Sequence, residues 1–274
     1  MEVYFFKPDE YERLYNCSSY NIDQIPLEKR RHEWLGIFFF SLSIIYEILY
    51  IPCMFSIWKR MKNSHCYKIM FCIGVVDMLT LLCNGLLTGY LGYFGYVFCS
   101  SPRLIYIAGA YGLGCWCAES VMEVVLAINR CAELWSDILA EKWFSGKKLV
   151  IWMVIPIIYG LAMAFYTKPV TFSSMYFSCL INASAAGIYV YMQYFYVNEM
   201  LILLAQLNWV NAHGIPPVIY LTMNTSIQRD CIGMFKKICG KSVTVHPITT
   251  GSHPPFLSAI NTLKGPNNTL QQPI

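Results

Sequence analysis

The sequence predicts an all-α membrane protein, a multi-span bundle of transmembrane helices. Of its 274 residues, 56% are hydrophobic and only 13% are charged. A soluble domain carries about 25% charged residues, because charged side chains cover its surface. The low share of charge therefore disfavours a water-soluble enzyme, a disordered regulator and a nucleic-acid-binding protein.

Six stretches of the chain are long and apolar enough to cross a bilayer. About 20 apolar residues span the roughly 30 Å of hydrocarbon, and a helix satisfies its own backbone hydrogen bonds there. The strands of a membrane barrel would alternate apolar and polar residues, and these stretches do not. The six predicted spans form a bundle within residues 35–224 and lie at residues 35–58, 69–91, 104–128, 149–166, 175–197 and 200–223.

Three further segments flank the predicted bundle. Residues 1–34 form an N-terminal segment, and residues 225–240 have apolar side chains at spacings of three and four with basic residues between them. This pattern predicts an amphipathic juxtamembrane helix on an anionic membrane surface, with Cys231 and Cys239 as candidates for palmitoylation. Residues 241–274 are rich in Pro, Thr, Ser and Asn, which predicts a disordered tail.

The distribution of basic residues predicts the orientation. All 20 Lys and Arg residues lie outside the six spans, and the first four loops between spans contain 4, 1, 4 and 1 of them. The positive-inside rule places the first and third loops in the cytoplasm and the N-terminus outside. Asn16 begins the glycosylation sequon Asn16-Cys17-Ser18 on that outer side. We expect a multi-pass protein of the plasma membrane.

The number of spans conflicts with the character of the tail. Six spans from an outer N-terminus would leave the tail outside, whereas the basic amphipathic segment suits the cytoplasmic leaflet. One further helix between the fourth and fifth spans would remove the conflict. The sequence thus predicts a seven-helix plan that lacks one helix, and a splice form, a gene-model error or a decayed copy would each produce it.

Several motifs occur in a fixed order along the chain. They are RRHEWLGIF and YEILYIPC in the first span, IWKRMKNSHCYKIM in the first loop, GVVDML in the second span, LAINRC at the end of the third and HGIPPVIYLTMN in the last. Together they resemble the nematode serpentine receptor class T chemoreceptors, a family of seven-transmembrane receptors. The resemblance covers residues 30–171 and 178–229, and it implies that the fifth helix is the missing one.

The resemblance implies that the protein detects an external small molecule and signals through a heterotrimeric G protein. Two alternatives stay open. One is a non-signalling truncated receptor that forms a hetero-oligomer with a full-length receptor, and the other is a small membrane transporter or channel. No enzyme is expected, because neither a nucleophile nor a metal-binding motif accompanies the buried carboxylates. For the same reason no catalytic residue, metal site or cofactor is predicted.

Ionisable residues inside a membrane are costly and usually face the bundle interior. Asp77 lies in the middle of the second span, while Glu119 and Glu123 share one face of the third. We expect Asp77 to bond to Asn211 or Asn224, and the resemblance leaves a sodium ion open. The two glutamates are expected to be protonated and hydrogen-bonded, with a ligand contact by Glu119 as the alternative. The predicted intramembrane polar network is Asp77, Glu119, Glu123, Asn211 and His213.

The resemblance also implies roles for residues at the ends of the spans. Asn129 and Arg130 end the third span, where related seven-helix receptors have an acidic residue and an arginine that contacts the G protein. Pro217 and Tyr220 resemble the proline-kinked switch of the last helix, and such prolines free backbone carbonyls. Cys99 opens the third span where this architecture has a disulfide, and it is either free or paired with Cys17.

Overall fold

A computed structural model of the chain describes residues 1–18, 21–62, 64–175, 178–181 and 199–238. The chain divides into two compact units, Met1–Phe235 and Lys236–Ile274, and of the second unit residues 236–238 are described. Within the described residues, four helical segments are long and apolar enough to cross a membrane. The all-α membrane bundle predicted from the sequence is confirmed. Those four segments are Leu27–Arg60, His65–Phe94, Pro102–Trp135 and Lys147–Tyr166.

The first half of the chain contains three short helices and two long apolar segments. The short helices are α1 (Glu2–Phe6), α2 (Pro8–Tyr15) and α3 (Leu27–Arg30), with a 3-10 turn at Ile22–Gln24. They precede α4 (Glu33–Arg60), α5 (His65–Leu81), a π-helical segment (Leu82–Leu87), α6 (Thr88–Phe94) and a 3-10 turn at Phe98–Ser100.

The second half begins with the longest helix and contains a small hairpin. In order, the elements are α7 (Pro102–Trp135), α8 (Asp137–Phe144), α9 (Lys147–Tyr166), β1 (Val170–Ser173), β2 (Ser178–Ile181), α10 (Glu199–Met223) and α11 (Thr225–Ile238). The predicted spans at residues 35–58, 69–91, 104–128, 149–166 and 200–223 lie within α4, α5 to α6, α7, α9 and α10.

Glycines allow the long helices to approach each other closely. A Cβ at Gly114 of α7 would lie 2.9 Å from the carbonyl oxygen of Gly160 in α9. A Cβ at Gly36 of α4 would lie 2.8 Å from the carbonyl oxygen of Gly89 in α6. Small residues at such crossings permit the backbone packing that holds helices together within a membrane.

Contacts between α4 and α10 establish the direction of the last long helix. Successive positions along α4 contact successive positions along α10 and then α11. The pairs are Tyr46 with Asn211, Tyr50 with His213, Cys53 with Pro217, and Arg60 with Ser226. Helix α10 therefore runs parallel to α4. We call the end of the bundle where α4 begins its N-terminal end, and the end where α4 ends its tail end.

The fifth predicted span differs from the structure at its start. Residues Ser178–Ile181 form β2, which pairs antiparallel with β1, so that Val170 lies opposite Ile181. The hairpin pairs the facing backbone groups of the two strands, and a helix does not begin at residue 175 as the hydropathy suggested. Residues 182–198 and the predicted tail at 241–274 lie outside the described residues.

Candidate functional site

Three ionisable side chains from three helices meet in the centre of the bundle. His213 of α10 has its Nδ1 3.2 Å from Asp77 Oδ1 of α5 and 2.5 Å from Glu119 Oε2 of α7. All three residues are buried. The imidazole nitrogen thus lies within hydrogen-bond distance of both carboxylates, and such pairing offsets the cost of burying polar groups. We call Asp77, Glu119 and His213 the triad.

Tyr50 of α4 completes the triad with its hydroxyl group. Its oxygen lies 2.6 Å from Asp77 Oδ2 and 3.0 Å from the carbonyl oxygen of His213. Pro217 has no N–H to donate to the carbonyl four residues before it, which is that of His213. The hydroxyl of Tyr50 occupies the position of the missing helical donor. Sequence reasoning missed Tyr50, although Pro217 shows that the carbonyl of His213 needs a donor from elsewhere.

The structure brings together three of the five residues predicted for the polar network. Asn211 lies elsewhere and accepts a hydrogen bond from the hydroxyl of Tyr46 at 2.8 Å. Asp77 bonds to Tyr50 and His213 rather than to Asn211 or Asn224. Asn224 instead caps α11, where it accepts from two backbone N–H groups. Glu123 is exposed whereas Glu119 is buried. Residues four apart differ by about 40° around a helix axis, and this rotation takes Glu123 out of the packed interface.

The triad offers a set of ligands for a metal ion, although the sequence predicted none. One ligand atom from each residue lies within 4.8 Å of the others. Hard cations take oxygen ligands, whereas an imidazole nitrogen suits zinc, copper or iron. The imidazole nitrogen of His213 favours a transition metal, while the carboxylate oxygens of Asp77 and Glu119 suit a hard cation such as the sodium ion that the resemblance left open. In the structure the imidazole Nδ1 of His213 lies within hydrogen-bond distance of both carboxylates.

A cavity lies between the triad and the N-terminal end of the bundle. The space open to the centre of a water-sized sphere is about 30 Å³, and apolar side chains form most of the wall. Gly112 and Trp209 contribute to the wall from α7 and α10. Glu119 follows Gly112 by about two helical turns, and His213 follows Trp209 by about one turn. The same two helices thus connect the cavity to the triad.

The π-helical segment places polar groups at this cavity. Asn84 lies in that segment and is buried at the cavity wall. Thr88 donates its hydroxyl to the carbonyl oxygen of Cys83, five residues earlier, at 3.2 Å. A π-bulge adds a residue to a helical turn, turns the following side chains and is frequent at functional sites.

The tail end of α7 differs from the sequence expectation in two ways. Arg130 donates to Glu133 Oε2 at 3.0 Å, so it has an acidic partner one turn later rather than one residue earlier. Asn129 is fully buried, and its amide has no hydrogen-bond partner among the described residues. In this conformation Asn129 cannot reach a partner protein, whereas the Arg130 side chain is 49% exposed.

Exposed apolar side chains follow Arg130 in the chain, and sequence reasoning missed them. They lie at the end of α7 and the start of α8, and each is more than four-fifths exposed: Leu134 at 89%, Trp135 at 87% and Ile138 at 82%. Large exposed apolar patches mark interaction sites. The pair Leu134-Trp135 in an otherwise polar loop was the available signal.

The amphipathic helix α11 packs against α4. Ser56 and Arg60 donate to Asp230 Oδ2 at 2.7 and 2.9 Å. Burial opposes ionisation of Asp230, but these two bonds and the charge of Arg60 lower its pKa below the ordinary value. Cys231 is buried at the same contact. The palmitoylation expected at Cys231 is not compatible with this packing, because an acylating enzyme cannot reach its sulfur, while Cys239 lies outside the described residues.

The remaining predicted residues lie as follows. A disulfide joins Cys17 of the N-terminal segment to Cys99 before α7, with the Cα atoms 5.6 Å apart. Asn16 beside it is exposed. In α10, Tyr220 packs against the core beside α4, and the carbonyl oxygen of Pro217 accepts from the thiol of Cys53 at 3.7 Å.

Comparison with known proteins agrees with this architecture. The model of the serpentine type 7TM GPCR chemoreceptor family Srt matches residues 1–180 and 176–245. Serpentine receptor class T-55 of Caenorhabditis elegans is 22% identical over 174 residues, which are 61% of this chain and 47% of the relative. The chain thus spans about half the length of this relative. The family is one of receptors rather than enzymes, and the chain, a multi-pass membrane protein, belongs to the Srt family of serpentine chemoreceptors.

Proposed function

We propose that the protein is a plasma-membrane receptor that binds an external small molecule and signals through a heterotrimeric G protein. Membership of the chemoreceptor family supports the receptor class. The observation that carries the proposal is the triad, which joins α5, α7 and α10 between the cavity and the exposed Arg130. A ligand bound at one end can act on the other end through these helices.

The triad has the properties of a switch element. Its contacts are short and buried, so a small rotation of α10 against α7 separates His213 from Glu119 and leaves buried polar groups without a partner. Packed interfaces of this kind change between discrete arrangements rather than deforming continuously. Arg130 lies on the same helix as Glu119, three turns further along. A change at the triad can therefore alter the surface around Arg130.

The surface proposed to contact the G protein is formed by Arg130, Leu134, Trp135 and Ile138. It combines a partly exposed cation with three apolar side chains that are almost fully exposed. It lies at the end of α7, where the loops are rich in basic residues, and the positive-inside rule favours the cytoplasm for that end.

The orientation with the N-terminus outside has separate support. The Cys17–Cys99 disulfide suits the oxidising environment of the secretory pathway and the cell exterior. The exposed Asn16 sequon is adjacent to it. Both features belong to the N-terminal end of the bundle, opposite the basic loops.

Direct binding of G protein tests the proposal without knowledge of the ligand. Purified heterotrimers of each G-protein class are added to the nanodisc-embedded chain after removal of nucleotide. We expect one class to bind, and Trp135→Ser to abolish that binding. Trp34→Ser removes an equally exposed tryptophan, 86% against 87%, from the opposite end and should leave binding unchanged. Failure of every class to bind the wild-type chain would contradict the proposal.

A second candidate function follows from the match to the family. The family model matches in two segments that meet at residues 176–180, which favours the loss of a helix between them. A receptor without that helix could act as a non-signalling partner of a full-length receptor. Such a partner would co-purify with a full-length Srt receptor when both are expressed, and it would bind no G protein alone. The binding experiment above separates the two candidates.

A further inference from the structure

Two hydrogen-bond donors at the cavity have no partner among the described residues. They are the amide Nδ2 of Asn84 and the indole Nε1 of Trp209, which are buried without a hydrogen-bond partner in the part of the chain that the structure describes. Both residues line the cavity described above. Buried N–H groups without a partner cost free energy and are rare in folded proteins. Their presence at one cavity indicates that something else accepts from them.

The hydrogen bonds of Asn84 establish which of its atoms is free. Gln206 of α10 donates from Nε2 to Asn84 Oδ1 at 2.9 Å and to the carbonyl oxygen of Asn84 at 3.3 Å. Because Gln206 can only donate from this nitrogen, the amide of Asn84 is held with its oxygen towards Gln206. The amide nitrogen of Asn84 is therefore left as a donor, and the indole nitrogen of Trp209 is a donor by its chemistry.

The rest of the cavity wall is apolar. It includes Leu87, Leu91, Ile105 and, from β1, Val170 and Phe172, and none of its lining residues is charged. A ligand that carried a charge would be buried there without a counter-charge, which is strongly unfavourable. An uncharged ligand with an apolar body buries its surface against these side chains without this penalty.

We propose that the cavity binds a small uncharged molecule with an apolar body and a carbonyl oxygen, such as a ketone, an aldehyde or an ester. Asn84 Nδ2 and Trp209 Nε1 donate hydrogen bonds to that oxygen, which can accept two. The proposal rests on the proposed receptor function and names the chemical class of its ligand. It explains why this wall presents donors rather than acceptors or charges.

Thermal unfolding of the chain in nanodiscs tests the proposal with four probes of equal chain length. They are methyl butyl ketone, n-hexane, hexylamine and hexanoate. A ligand that binds the folded state raises its Tm, and we expect the largest rise with the ketone, a smaller rise with hexane and none with the two charged probes. An equal rise with ketone and hexane, or a larger rise with a charged probe, would overturn the proposal.

Two tryptophan variants separate donation by Trp209 from general effects. Trp209→Phe keeps an aromatic ring and removes the N–H, so the ketone should bind roughly 5-fold more weakly while hexane binds as before. Trp116→Phe is the matched control, because Trp116 contacts the ring of Trp209 but does not line the cavity. Loss of both probes in Trp209→Phe, or equal effects of the two variants, would contradict the donor role.

If Trp209→Phe fails to fold, the order of the four probes on the wild-type chain still decides the question. The readout is binding alone, so it is independent of G-protein coupling. A chain that binds G protein but shows no preference for the ketone would refute the ligand class and leave the receptor function standing. A chain that prefers the ketone but binds no G protein would do the opposite.

Discussion

Tyr50 should contribute more to stability than any other tyrosine hydroxyl between α4 and α10 in the described residues. Tyr50→Phe removes a hydroxyl placed 2.6 Å from Asp77 Oδ2 and 3.0 Å from the carbonyl oxygen of His213. The same interface provides a matched control. Tyr46→Phe removes a hydroxyl that donates at 2.8 Å to the neutral amide oxygen of Asn211.

The two substitutions differ in what they leave unsatisfied. A neutral hydrogen bond between membrane helices contributes about 0.6 kcal/mol, so we expect Tyr46→Phe to cost about that much. Hydrogen bonds to charged groups contribute about 1.5 to 3 kcal/mol. The hydroxyl of Tyr50 has one proton, which Asp77 Oδ2 and the carbonyl oxygen of His213 share, so Tyr50→Phe leaves both acceptors without that donor. We therefore expect it to lower the free energy of unfolding by about 2 kcal/mol.

A double-mutant cycle with Pro217→Ala tests the reason for the difference. Alanine supplies the N–H that proline lacks, so the carbonyl of His213 regains a helical donor. In that background Tyr50→Phe should cost about 1 kcal/mol less, while the cost of Tyr46→Phe stays the same. SDS-induced unfolding in mixed micelles measures all four values. The reasoning is refuted if Tyr50→Phe costs no more than Tyr46→Phe, or if Pro217→Ala leaves its cost unchanged.

Three further predictions concern other contacts and are measured by unfolding. Gly114→Ala should destabilise the fold by about 1 to 3 kcal/mol, because its Cβ would lie 2.9 Å from a carbonyl oxygen of α9. Gly112→Ala, with nothing within 4 Å, should be neutral or stabilising, and equal effects would count against close α7–α9 packing. Cys17→Ser should cost about 2 to 4 kcal/mol, because it breaks the disulfide with Cys99. The double variant with Cys99→Ser should cost no more, and a larger cost would contradict the disulfide. Asp230→Asn should cost up to about 1 kcal/mol at neutral pH. The pKa of Asp230 in the folded state lies below the ordinary 3.8. The cost of Asp230→Asn should therefore vanish once the pH falls below that lowered pKa, where Asp230 is protonated. A cost independent of pH would contradict the ion pair.

The sequence was sufficient to predict that Asp77, Glu119 and His213 are buried, but not that they meet, and it placed the exposed Glu123 with them. Hydropathy alone placed Asp77, Glu119 and His213 inside the bundle, since charges in apolar spans have to face the interior. Their contact depends on the rotation of three helices, and Asp77 and His213 are 136 residues apart in the chain. For the same reason the partner of Asp77 was expected to be an asparagine, and Tyr50 was missed. Periodicity gives the face of a helix but not its neighbour.

The amphipathic segment shows a related limit. The spacing of its apolar residues correctly predicted a helix, here α11, and an apolar face. It could not distinguish a face that packs on protein from one that lies on lipid, because both bury apolar side chains. In the structure Ile227 and Cys231 pack on the bundle, whereas Phe235 and Ile238 are exposed. The start of the fifth predicted span shows the same ambiguity, because the short apolar run Ser178–Ile181 is compatible with either a helix or a strand.

The direction of α10 is the claim on which the receptor interpretation depends, and the side of the membrane occupied by the tail tests it most directly. Since α10 runs parallel to α4, the tail that follows α11 should lie on the same side as the first basic loop. The tail carries the sequon Asn267-Asn268-Thr269. The measurement is glycosylation of an Asn16→Gln variant made in microsomes, with Asn267→Gln as the control that identifies the acceptor.

The expected result is no glycan on Asn267, together with loss of the tail when protease is added outside the microsomes. The wild-type chain should carry a glycan at Asn16 in the same experiment. A glycosidase-sensitive shift that disappears in the Asn267→Gln control would place the tail outside. That result would contradict the parallel arrangement of α4 and α10 and, with it, the proposed G-protein surface.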